Sequence, residues 1–98
     1  MRTIDHFIAG GTGSATGGRV HQVWNPSTGE VQAEVPLGDA ALLERAVAAA
    51  KKVQPDWAAT NPQKRARIMF AFKQLVETHR LELAELLASE HGKVVDDA

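Results

Sequence analysis

The 98-residue sequence predicts an α+β fold, with a short antiparallel β-hairpin or sheet over residues 1–37 and three amphipathic helices, plus the start of a fourth, over residues 38–98. Three observations predict it. Apolar and polar residues alternate at 31–35, the period of a half-buried strand, and 20–24 reads as a second strand with weak sidedness. Beyond residue 39 the apolar positions recur at spacings of three and four, the period of one helix face. Gly-Asp and Asn-Pro pairs mark the changeovers.

The elements follow in order. Residues 7–11 are a brief apolar strand that runs into glycine. In 20–24, Val20, Gln22 and Trp24 share one face and His21 and Val23 the other. The stretch NPSTGE, 25–30, is a turn in which Asn-Pro initiates and Gly29 supplies positive φ. Val31, Ala33 and Val35 then alternate with Gln32 and Glu34 until Pro36 ends the strand. Asp39 is placed to accept first-turn N–H groups as an N-cap. The helix after it carries Leu42, Leu43, Ala46, Val47, Ala50 and Val53 on its apolar face, and Pro55 is expected to end or kink it near Val53. Trp57 is expected to be an anchor packed under the connection. Asn61 and Pro62 are the N-cap and first position of the second helix. Its stripe is Ile68, Met69, Phe72, Leu75 and Val76, widened by Phe70 and Ala71. A third helix over 78–89 carries Leu83, Leu86 and Leu87 opposite Glu82 and Glu85, and Gly92 closes it. The last residues, KVVDDA, read as the opening of another element, which makes the chain a fragment by expectation. No linker or internal repeat divides it.

Composition excludes several classes. A net charge of -1 does not suit a general polyanion binder, so no nucleic-acid partner is expected. No apolar run approaches the roughly 20 residues needed to span a bilayer, so no membrane role is expected either. The N-terminus lacks the apolar core of a secretory signal. With no cysteine, these residues offer no disulfide, zinc-thiolate site or thiol nucleophile. A cytoplasmic location fits.

The one stretch that imitates a ligand-binding motif is AGGTGSATGGR, residues 9–19, with five of the eight glycines. A dinucleotide fingerprint needs G-x-G-x-x-G. Gly11 and Gly13 match, but Thr16 holds the third position and Gly17 comes one residue late. Gly13 and Gly18 have Walker A spacing, but Arg19 and Val20 follow where Lys and Ser or Thr are needed. Both motifs also need a helix to begin there, and the residues after Gly18 alternate as a strand. The stretch is therefore expected to be a loop joining two strands.

The other chemistry-bearing residues are bland. His6, His21, His79 and His91 are in no metal-ligand spacing, and His91 suits the end of a helix dipole. Lys64, Arg65 and Arg67 open the second helix without interleaved aromatics, which fits a solvated or ion-pairing face. Glu77, Glu82, Glu85 and Glu90 are helix-solubilising charges. Ser14, Ser27 and Ser89 have no nucleophile-elbow context. No catalytic, cofactor-binding or metal residue is assigned.

The ordered set HFIAGG, VWNPSTGEVQAEVPLGD and AVAAAKKVQPDWAATNPQKRARIMFAFKQLVETHRLELAELLASEHGK resembles the amino-terminal region of aldehyde dehydrogenases. The matching residues are Asn25 to Glu30, Trp57, Arg65 to Met69, and Glu82 to Lys93. RARIMFAFKQL with SEHGK is most similar to methylmalonate-semialdehyde dehydrogenases, which act in valine and inositol breakdown. That resemblance implies oxidation of malonate or methylmalonate semialdehyde with NAD and acyl transfer to coenzyme A. It implies that the nucleophilic cysteine, the oxyanion asparagine and the NAD-binding strand-turn-helix lie downstream of these residues. The segment is then scaffold, inactive by itself, in the Rossmann-like cofactor domain of a homo-oligomer. Its partners are the remainder of the dehydrogenase or, through apolar helix faces, a second copy. Two other readings are a standalone helical interaction module and a nucleotide-binding protein using residues 9–19.

Overall fold

The structure is a computed structural model and describes residues 1–13 and 18–98. It contains β1 (Arg2–Thr3), β2 (His6–Ile8), β3 (Gly11–Gly13), β4 (Val20–Asn25), β5 (Glu30–Pro36), α1 (Ala40–Ala59), α2 (Pro62–Thr78), α3 (Arg80–His91) and a final 3₁₀ turn, Val95–Asp97. The chain divides into two compact units. One comprises Met1–Trp24 and Val31–Ala58, the other Asn25–Glu30 and Ala59–Ala98.

In the first unit one sheet has the order β1-β5-β4. The four-residue connection between β4 and β5 leaves them only antiparallel pairing. β1 is parallel to β5, with Arg2 opposite Ala33 and Thr3 opposite Glu34. This corrects the expectation of antiparallel strands alone. Two residues without apolar alternation carry no strand signal, and only the neighbouring β5 makes them one. As the central strand, β5 is covered better than its neighbours, and Ala33 is fully buried. On β4 the half-buried residues are Val23 and Asn25, whereas Val20 and Trp24 are exposed.

The second sheet is the antiparallel hairpin β2–β3, pairing His6 with Gly13 and Ile8 with Gly11. Its turn is Ala9–Gly10, with φ of 55° and 79°. Two successive positive φ values are those of the two-residue turn that matches strand twist. The expected loop over 9–19 is thus corrected in its first part, where Gly11–Gly13 is a strand. Glycine has little strand preference of its own, so the partner β2 decides. Ser14, Thr16 and Gly17 lie outside the described residues.

α1 begins where Asp39 predicted. The Asp39 Oδ1 accepts from the Leu42 N–H at 2.8 Å, and its carbonyl accepts from the Leu43 N–H at 3.1 Å. The helix does not end near Val53 but runs through Pro55 to Ala59. A proline removes one donor, to the carbonyl four residues back, and crowds that carbonyl. The N–H groups after it still reach their own acceptors, so a few more residues can follow. The covered face is Leu42, Ala46 and Ala49, with Leu42 8% exposed. The same stripe continues to Val53 and Trp57, which are 61% and 43% exposed. Trp57 is therefore not the packed anchor expected, because the stripe outruns what covers it.

The second unit starts at the NPSTGE turn. Asn25 Oδ1 accepts from the Ser27 N–H at 2.9 Å, the Gly29 N–H donates to the Asn25 carbonyl at 2.8 Å, and the Glu30 N–H donates to Thr28 Oγ1 at 3.3 Å. α2 is capped as expected, with Asn61 Oδ1 accepting from the Gln63 N–H at 2.8 Å and Pro62 at the first position. It ends at His79, whose N–H donates to the Leu75 carbonyl at 3.0 Å, and α3 begins at the next residue. Gly92, with φ of 91°, closes α3 by donating to the Ala88 carbonyl at 2.8 Å. The half-buried positions on α3 are Ala84, Ala88 and Ser89. The leucines expected to face inward, Leu83, Leu86 and Leu87, stay exposed. Small residues allow close approach, and here they form the inner face. The final 3₁₀ turn lies against α3.

Candidate functional site

Among the described residues the motif-like glycines do not form a phosphate cradle. Gly10 and Gly11 sit at the tip of the β2–β3 hairpin and Gly13 ends its second strand. Phosphate binding by such loops relies on N–H groups converging at a helix N-terminus, and no helix starts there. Where α1 does start, the Asp39 carboxylate already takes the Leu42 N–H and would repel an anion. At α2, Asn61 takes the Gln63 N–H and Pro62 has none to offer. The first N–H groups of α1 and α2 are thus already engaged by protein side chains.

The histidines are dispersed over the fold. His79 Nδ1 lies 2.9 Å from Glu82 Oε2 across the α2–α3 junction, and both are exposed. His21 is exposed on β4, and His91 lies in the last turn of α3. His6 is half-buried on β2, packed near Gly38, and its Nε2 is buried without a hydrogen-bond partner. Among the described residues no group of three or more His, Asp and Glu could hold a metal ion.

The charged residues resolve in the same way. Lys64 and Arg67 are solvated, whereas Arg65 is half-buried with its Nε buried and unpartnered. Sequence reasoning had no signal for that difference, because one turn of helix separates a covered guanidinium from two exposed cations. Glu77 pairs with Lys73 at 3.1 Å on the surface of α2, an interaction worth about 0.5 kcal/mol or less. Ser89 Oγ donates to the Leu86 carbonyl at 2.8 Å, within its own helix. Ser27 lies in the NPSTGE turn, where its N–H donates to Asn25 Oδ1.

The first unit also holds an open apolar groove of about 570 Å³ between the β2–β3 hairpin and the start of α1, lined by His6, Phe7, Ile8, Leu42, Leu43 and Ala46 among others. Its lining is mostly apolar, with His6 and Asp39 as the titratable side chains. In the second unit the α2 stripe is laid open. Ile68, Met69, Phe72, Leu75 and Val76 are all exposed, Phe72 by 59%. No helix among the described residues is long and apolar enough to cross a membrane.

Known proteins resemble this chain over most of its length. A family model described as the aldehyde dehydrogenase family matches residues 13–98. The chain is 43% identical over its full length to a malonate-semialdehyde dehydrogenase of Pseudomonas aeruginosa, covering 20% of that protein. It is 40% identical over 96% of its length to a 3,6-anhydro-alpha-L-galactose dehydrogenase of a Vibrio species, again covering 20%. A solved structure from Sinorhizobium meliloti 1021, assigned as a methylmalonate-semialdehyde dehydrogenase and complexed with NAD, matches with a TM-score of 0.95 and 52% identity over 99% of the chain and 20% of that protein. The chain thus spans a fifth of the length of these relatives and corresponds to their amino-terminal part.

Proposed function

This chain belongs to the aldehyde dehydrogenase family, and from that premise we propose that it is the amino-terminal scaffold of a malonate- or methylmalonate-semialdehyde dehydrogenase, inactive by itself. The observation that carries the proposal is the 52% identity and 0.95 TM-score to the Sinorhizobium meliloti protein. In this reading the whole dehydrogenase oxidises a semialdehyde with NAD and hands the acyl group to coenzyme A. A covalent route of that kind needs an activated nucleophile, and the chain has no cysteine. Its own strands and helices supply packing surface to the rest of the enzyme.

Substrate choice rests on residues elsewhere. A dehydrogenase named for an anhydrogalactose is nearly as similar to this chain, at 40%, as one named for malonate semialdehyde, at 43%. The scaffold is common to both chemistries.

The test starts with the intact mass of the native-source polypeptide that carries this sequence, followed by an assay with malonate semialdehyde, methylmalonate semialdehyde, NAD and coenzyme A. The expected result is a polypeptide about five times as long, from the 20% coverage, that forms NADH and the acyl thioester. The 98-residue chain assayed alone should form neither. A native mass near 10.6 kDa would sink the scaffold reading. It would favour instead a standalone module that associates through the open face of α2, the observation on which that second reading rests.

A further inference from the structure

We draw no further inference here: the strongest candidate, the open apolar groove between the β2–β3 hairpin and the start of α1, is an unpartnered face, and nothing in the structure shows what covers it.

Discussion

Gly92 at the end of α3 and Pro26 in the NPSTGE turn are in contact so close that a Cβ on Gly92 would fall 2.9 Å from Pro26 Cγ. Two stretches far apart along the chain, each a weak motif alone, are therefore two sides of one contact. Gly92 is held to glycine twice, by its φ of 91° and by the proline ring. The ring is not a flexible tip that swings away. Gly29 shares the first constraint, with φ of 76°, but has nothing within 4 Å of the same position. Gly29→Ala should cost about 1–2 kcal/mol for the left-handed backbone alone. Gly92→Ala should add an overpacking cost of about 1–3 kcal/mol. Urea unfolding of both variants checks the order, and equal losses would show that the Pro26 contact yields freely.

Asn61 caps α2 through a single side-chain oxygen. Asn61→Ala removes that acceptor and should cost about 1 kcal/mol. Asn61→Asp keeps it and adds a negative charge at the positive end of the helix, close to the cations Lys64 and Arg65. It should match or exceed the parent in stability. Thermal melts followed at the helical signal decide this, and an Asn61→Ala variant as stable as the parent would mean that the cap contributes nothing.

The open stripe of α2 makes the isolated 98-residue chain sticky. Exposed contiguous apolar surface promotes association, so the chain should form oligomers or aggregates at ~100 μM, within the range where such surface is hazardous. Phe72→Glu puts a charge in the middle of the stripe and should shift the population towards monomer. Sedimentation velocity reads both. A wild-type chain that stays monomeric would overturn the expectation.

The hairpin geometry of Ala9–Gly10 bears on the nucleotide reading. A ligand at a hundred times its Kd stabilises a protein by about 2.7 kcal/mol. NAD or ATP at ~1 mM should leave the melting temperature of the 98-residue chain unchanged, whereas a site with a Kd of ~10 μM would give that full gain. A reproducible rise that Gly13→Val abolishes would reinstate a nucleotide site on the glycine stretch.

Features that depend on neighbours along the chain are legible in the amino-acid sequence alone. Asp39, Asn61 with Pro62, Gly29 and Gly92 each satisfy or redirect backbone groups a few residues away, so their roles as caps and turn follow from residue type and position. The family is legible too, because its motifs stand in order along the chain. Features that depend on residues distant in sequence are set only by the folded chain. β1 is a strand because β5 lies beside it, and Gly11–Gly13 is a strand because β2 does. Ala84 and Ala88 rather than the leucines form the inner face of α3. The stripe of α1 is covered at Leu42 but open at Trp57. Periodicity tells which residues share a face, but burial depends on a second surface arriving to cover that face. Caps are local hydrogen bonds and can be read directly; strand pairing and burial are agreements between distant segments, and tertiary packing alone fixes them.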